Sequence, residues 1–397
     1  MGAVTEGKLM ATFSRRELVR WFGSVTAPLC ARVLFGSPAA PNEVKLSLAR
    51  EFPKSSMRAL SPDGMKLCLE DWNERGYPVR VLDIGDWNAL YTGRFHSRTL
   101  GVSFFADSET ILVRALTSAP DKTCGVGKGN CAHDDVILDL RTGQRTGRVL
   151  PFGDPTIVGE RYYPVSDRTL LDAHYEGKPA QTETLALVQL PDYRETVKVP
   201  YATQPRKPRP LVSGIALSTE YGFSISDDRR TIAYAFDDVL LCRQTEDLAV
   251  IWTRRIEPEL KAFNVVVSAH GSRVAAAIAD NAVSHLQRAS YIAVYDGRDG
   301  SDVARLQQDG TEGMALSPDG GLIAIVRGEP GTKGEVVTTV RVHELLSGRM
   351  LASVDHDRIK NGRHRWLEAG CQVAFTSDSK YMITSGMATR VWTIERF

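Results

Sequence analysis

The chain has 397 residues, of which 43% are hydrophobic and 24% are charged, and its formal net charge is +1. This composition is that of a soluble globular protein. The near-zero charge excludes the strong positive field expected of a chain that binds nucleic acid or anionic membranes non-specifically. After the first forty residues no stretch approaches the ~20 apolar residues of a membrane span, so we predict no transmembrane segment in the mature chain.

Residues 1–40 differ from the rest and are predicted to be a twin-arginine-like export signal or a disordered tail. The motif that resembles a twin-arginine signal consists of Ser14, Arg15, Arg16, Leu18 and Val19. The apolar stretch 21–35 follows it, and cleavage after Ala39 would put Ser37 and Ala39 at the positions where signal peptides have small residues. Such a signal predicts a periplasmic or secreted protein. If the segment is instead a frayed tail or a short helix, the protein would be cytoplasmic.

The hexapeptide ALSPDG occurs twice, at residues 59–64 and 315–320. Ser-Pro-Asp-Gly suits a type I turn, because Pro62 sets φ at the second position, Asp63 tolerates the third and Gly64 adopts the left-handed conformation. Apolar runs rich in β-forming residues flank both copies. Each copy is therefore predicted to be the turn of a β-hairpin.

Five weaker versions of this hairpin bring the total to seven. They have polar turn residues between apolar runs, at residues 103–114, 164–174, 224–236, 265–278 and 373–386. A second strand–turn–strand pattern follows six of the hairpins, at residues 79–93, 136–150, 185–199, 239–252, 291–306 and 340–354. Each unit therefore contains four strands, and four-stranded units of about 40–50 residues are typical of propeller blades.

The two ends of the chain indicate how the ring closes. The last unit ends at residue 397 after only three strands, and the predicted strand 44–52 belongs to no earlier unit. Placing strand 44–52 in the last unit as its outer strand completes the blade and covers an exposed sheet edge. Residues 41–397 are thus predicted to be an all-β, seven-bladed β-propeller domain with four-stranded antiparallel blades.

The repeated turn followed by an apolar strand resembles bacterial members of the WD40-type and YVTN-type seven-bladed propellers, over roughly residues 42–397. WD40 repeats often end a strand in Trp-Asp after an upstream Gly-His. Here threonine follows both Trp252 and Trp392, and the Gly-His is missing. The resemblance therefore implies a divergent WD40-repeat-like protein.

Cys124 and Cys131 bracket a glycine-rich loop and are predicted to form a disulfide in an exported chain. The alternatives are free thiols, or a metal site in which both thiolates join His133 and Asp134 or Asp135. We assign no metal, cofactor or catalytic residue to the chain.

Other chemically capable residues are given structural interpretations. Cys68, Cys242 and Cys371 lie in or beside strand patterns and are predicted to be buried small apolar residues. The paired acids Asp227–Asp228 and Asp237–Asp238 are interpreted as turn residues and solvated edges.

The densest histidine group is formed by His356, Asp357 and His364. These side chains could coordinate a metal, but we predict that they lie in an exposed loop between blades six and seven. The basic, proline-rich stretch 204–210 is interpreted as a solvated linker between blades three and four.

We predict a monomeric, non-enzymatic scaffold that binds an unknown protein partner or small ligand at a propeller face, and no nucleic acid. The alternative is an exported propeller enzyme, a lactonase, a lyase or a quinoprotein-dehydrogenase-like protein, with acids and histidines converging on the mouth of the central channel. A third possibility is a scaffold in a membrane or cell-envelope complex. Contacts are expected on the longest connections, at residues 73–79, 117–134, 175–183, 202–212, 280–290 and 327–336.

Overall fold

The computed structural model contains 28 β-strands in seven four-stranded antiparallel sheets. It describes residues 43–72, 77–95, 99–116, 133–149, 161–176, 182–200, 223–236, 238–257, 260–280, 289–309, 313–330, 335–359 and 372–397. Within these ranges every regular element is a strand. The described residues therefore contain no membrane-spanning helix. The all-β, seven-bladed prediction is confirmed.

Each of the first six blades uses four consecutive strands, ordered from the ring axis outwards. Blade one contains β2 (Ser55–Leu60), β3 (Lys66–Asp71), β4 (Val79–Asp83) and β5 (Ala89–Gly93). Blade two contains β6 (Thr99–Phe104), β7 (Thr110–Leu116), β8 (His133–Asp139) and β9 (Arg145–Val149). Blade three contains β10 (Arg161–Pro164), β11 (Thr169–Glu176), β12 (Thr182–Gln189) and β13 (Arg194–Pro200).

The second half of the ring follows the same plan. Blade four contains β14 (Phe223–Ile225), β15 (Thr231–Phe236), β16 (Val239–Gln244) and β17 (Val250–Arg255). Blade five contains β18 (Leu260–Val267), β19 (Arg273–Asp280), β20 (Ala289–Asp296) and β21 (Asp302–Asp309). Blade six contains β22 (Gly313–Leu316), β23 (Leu322–Pro330), β24 (Val336–Glu344) and β25 (Met350–Ile359). The expected connection 327–336 is shorter than predicted, because β23 continues to Pro330.

Blade seven joins the two ends of the described chain. Its strands are β26 (Gln372–Phe375), β27 (Tyr381–Ser385), β28 (Ala388–Arg396) and, outermost, β1 (Val44–Pro53). β1 pairs antiparallel with β28 along its whole length, from Val44 opposite Arg396 to Pro53 opposite Ala388. The predicted closure is confirmed, with a strand that extends one residue beyond the expected 44–52.

Hydrophobic side chains fill all seven interfaces between neighbouring blades, as seven separate clusters. Successive side chains of a strand point to opposite faces of its sheet, so each strand supplies two interfaces. In β3, for example, Leu67 and Leu69 pack towards blade seven, while Cys68 packs towards blade two. This explains why the sequences of the inner strands are continuous apolar runs.

A serine or threonine hydroxyl organises the turn that the sequence repeats. In blade six, Ser317 Oγ donates to Asp319 Oδ1 at 2.5 Å and accepts from the Leu322 amide at 2.9 Å. Gly320 has φ +69°, as predicted for the left-handed position. We call this pair of hydrogen bonds, to an aspartate carboxylate and from a main-chain amide, the hydroxyl bracket. Ser61, Ser226 and Thr376 form the same bracket in their turns.

The two faces of the ring carry different connections. Because the strands are antiparallel, turns between first and second strands and between third and fourth strands all lie on one face, which we call the short-turn face. It consists of residues 61–65, 84–88, 105–109, 140–144, 165–168, 190–193, 226–230, 245–249, 268–272, 297–301, 317–321, 345–349 and 376–380. The remaining connections join strand ends on the opposite, long-loop face and reach 22 residues between Pro200 and Phe223.

The hydroxyl bracket gives a stability prediction. Ser317→Ala leaves the buried Leu322 amide without its acceptor, so we expect the free energy of unfolding to fall by about 1–2 kcal/mol. Ser347→Ala, in an exposed turn of the same blade, is the matched control and should change it by less than about 0.5 kcal/mol. Denaturant unfolding monitored by tryptophan fluorescence measures both, and equal effects of the two variants would contradict the assigned role.

Candidate functional site

The first strand of each blade surrounds the ring axis, and one side chain on the short-turn face bridges two non-adjacent blades there. Arg229 Nη2, in blade four, donates to the main-chain carbonyl of Phe104, in blade two, at 3.0 Å. This contact links blade four to blade two, which are not neighbours in the ring, because blade three lies between them in chain order. We call Asp227, Asp228, Arg229, His270 and the Phe104 carbonyl the channel mouth.

The turn of blade four departs from the repeat in a specific way. It reads Ser226-Asp227-Asp228-Arg229 where blade one reads Ser-Pro-Asp-Gly. Asp227 therefore replaces the proline, and Arg229 replaces the glycine while keeping its left-handed backbone, with φ +60°. A non-glycine residue in this conformation costs about 1 kcal/mol. Two charges thus stand where turn stability favours Pro and Gly.

Asp228 keeps the structural role that the sequence predicts for a turn residue. Its Oδ1 accepts from Ser226 Oγ at 2.6 Å and from the Arg230 amide at 3.1 Å. Its own amide donates to the Ala269 carbonyl of blade five at 3.0 Å. The Asp228 carboxylate therefore stabilises the turn through these two hydrogen bonds.

Asp227 lies in the turn between β14 and β15, as predicted. Its side chain is exposed, and no hydrogen bond to its carboxyl is found among the described residues. The surrounding protein nevertheless removes part of the water around this carboxyl and raises its pKa to about 6. Arg229 lowers this pKa, Asp228 raises it further and His270 lowers it.

Arg229 is held in a partly dehydrated position. Burial lowers the pKa of its guanidinium, and the neighbouring Asp227 charge opposes that shift. Its buried Nε has no hydrogen-bond partner in the described part of the chain. Only Nη2 makes a hydrogen bond among the described residues, to the Phe104 carbonyl. This hydrogen bond holds the guanidinium against blade two.

His270 contributes from the neighbouring blade. It belongs to the blade-five turn, its Nδ1 lies 4.0 Å from Asp228 Oδ2, and its side chain is 77% exposed. Sequence reasoning identified this turn but gave neither His270 nor Arg229 a role. The signal available was the pair of charges in blade four at the Pro and Gly positions of the repeat.

The prediction that His356 and Asp357 lie in an exposed loop is wrong. Both residues belong to β25, where a β-bulge leaves His356 opposite no partner between the pairs that Asp355 and Asp357 make with β24. The His356 side chain is fully buried, and its Nδ1 lies 2.9 Å from Asp357 Oδ2. A bulge changes the direction in which the side chains of its strand point. A search of the sequence for apolar runs does not detect such a change. His364 lies outside the described residues.

Asp357 joins blade six to blade seven. Its carboxylate accepts from the Met387 amide at 2.7 Å and from Arg390 Nη1 at 3.0 Å. Burial raises the pKa of Asp357, but His356, the Met387 amide and Arg390 together outweigh it and hold this pKa below its usual value. Arg390 also reaches Glu51 of β1 at 3.4 Å. This ionic group is structural, because it ties the closing strand to its neighbours.

The cysteines give no reactive thiol in the described part of the chain. Cys68 and Cys242 are completely buried, as predicted. Burial raises the pKa of both thiols, that of Cys242 to about 12, so neither is a thiolate at neutral pH.

Several predictions concern residues outside the described ranges. They are the disulfide between Cys124 and Cys131, the location of Cys371, and the export motif of Ser14, Arg15, Arg16, Leu18 and Val19. The side chains of His133, Asp134 and Asp135 are not described either. Among the residues that the structure describes, no group of three or more His, Cys, Asp or Glu side chains could hold a metal ion.

A separate groove of about 440 Å³ lies on the rim of the ring between β25 and β1. Its lining includes Leu46, Val354 and the exposed Phe397. Its walls are the outer strands of blades six and seven, so it does not belong to the channel mouth.

The charge of Asp227 gives a pH-dependent stability prediction. Because its folded-state pKa lies above the unfolded value, ionisation of Asp227 destabilises the fold as pH rises from about 4 through about 6. Asp227→Asn should therefore raise Tm at pH 8 but not at pH 4. Solvent at the mouth screens the charge, so we expect a gain of about 1–2 °C.

Thermal unfolding at both pH values, followed by circular dichroism, measures this difference. Asp167→Asn changes an exposed acid in the equivalent turn of blade three and serves as the control. A Tm gain for Asp227→Asn that is the same at pH 4 and pH 8 would show that the charge is not its cause.

Comparison with known proteins supports the fold and leaves the family open. No protein-family model matches the chain, and no curated protein matches it. Among solved structures, one described as "KlHsv2 with loop 6CD replaced by a Gly-Ser linker" is similar, with a TM-score of 0.55 and 12% sequence identity. The match covers 86% of this chain and 98% of the other. At this identity the likeness shows a shared propeller fold alone.

Proposed function

We propose that the protein is a non-enzymatic binding scaffold of the WD40- or YVTN-like propeller type, which recognises a partner through the channel mouth on its short-turn face. The two Ser-Pro-Asp-Gly turns and the four-stranded blades support the family resemblance. A single chain closes all seven interfaces by itself, which supports a monomer. The ring supplies a rigid platform on which turn residues are presented in fixed positions.

The observation that carries this proposal is the exchange of Pro and Gly for Asp227 and Arg229. The left-handed backbone of Arg229 is shared by Ser108 and Ser379 at the equivalent positions of blades two and seven, so the feature specific to blade four is the pair of charges, with a carboxyl whose pKa is raised to about 6. Local rules are broken most often where function requires it. Strongly perturbed carboxyls with a specific charged neighbour are also typical of functional sites.

An exported propeller enzyme, of the lactonase, lyase or quinoprotein-dehydrogenase-like type, is the second candidate. The observation in its favour is the Asp227 carboxyl, whose pKa of about 6 is close to the value required for acid–base catalysis near neutral pH. Such an enzyme would need its other reacting groups from the turns that surround Asp227. A scaffold within a cell-envelope complex is compatible with the first proposal.

Restoring the repeat tests the proposed site. Asp227→Pro with Arg229→Gly recreates Ser-Pro-Asp-Gly in blade four, so the fold should retain or gain thermal stability while partner capture falls at least tenfold. Ala106→Pro with Ser108→Gly makes the corresponding change in blade two and should leave capture unchanged. Affinity capture from a native extract, quantified by mass spectrometry, compares the three proteins. Equal partner retention by the blade-four variant would refute the assignment.

We further propose export to the periplasm or secretion through the twin-arginine motif, with the Cys124–Cys131 disulfide formed afterwards. Twin-arginine signals require both arginines, so Arg15→Lys with Arg16→Lys should abolish export and leave the uncleaved chain in the cytoplasm. Fractionation followed by intact-mass analysis measures location and cleavage. Recovery of wild-type protein only from the cytoplasm with residues 1–39 intact would contradict export.

A further inference from the structure

We draw no further inference here: the strongest candidate, the apolar groove on the rim of the ring between β25 and β1 that includes Leu46, Val354 and the exposed Phe397, carries nothing because no feature of the described part of the chain shows what covers it.

Discussion

The whole structure depends on the packing of each sheet against a neighbour on both of its faces. A blade such as blade one, with Leu67 directed to one side and Cys68 to the other, has no solvent-facing side near the axis. Such a sheet is stable only when both neighbours are present, so the ring must close. The pairing of β1 with β28 satisfies this requirement and makes the last blade as complete as the first.

Closure also determines how precisely the turns are positioned. In blades one, four, six and seven a hydroxyl bracket holds each first turn, and neighbouring turns contact one another, as where Ser108 Oγ accepts from the Asp63 amide at 3.3 Å. In this setting blade four can carry Arg229 in a left-handed conformation, because the surrounding turns fix its backbone.

Much of the fold could be predicted because local sequence patterns specify it. Apolar runs of strand length, separated by turns with Pro, Asp and Gly, specify four strands per unit, and the unpaired strand at residues 44–52 specifies the closure. The hydroxyl bracket at Ser317 was missed because a single serine has many ordinary uses, and its two hydrogen bonds depend on the folded turn. His356 was misplaced because a bulge changes which face a residue occupies without leaving a clear sequence signal.

The candidate site could be predicted only in part, for a different reason. Asp227 was identified as a turn residue, but its environment depends on which turns converge around the axis. The contact between Arg229 and Phe104 joins residues 125 positions apart, and no local pattern contains that information. The sequence does show that blade four has Asp227 and Arg229 where the two intact repeats have Pro and Gly. This difference is visible once the equivalent turns of the blades are aligned.

The antiparallel closure has a consequence for how this protein could be connected to other molecules. Glu43 and Phe397 lie side by side, with the Phe397 amide donating to the Glu43 carbonyl at 3.0 Å, and Arg396 reaches Asp319 of a first-strand turn at 2.7 Å. Phe397 therefore lies at the short-turn face, which also carries the channel mouth. A ligand tethered to the carboxyl end would be delivered on the side of the ring that bears Asp227. Its effective concentration at the mouth would then be set by the tether length rather than by diffusion from bulk solution.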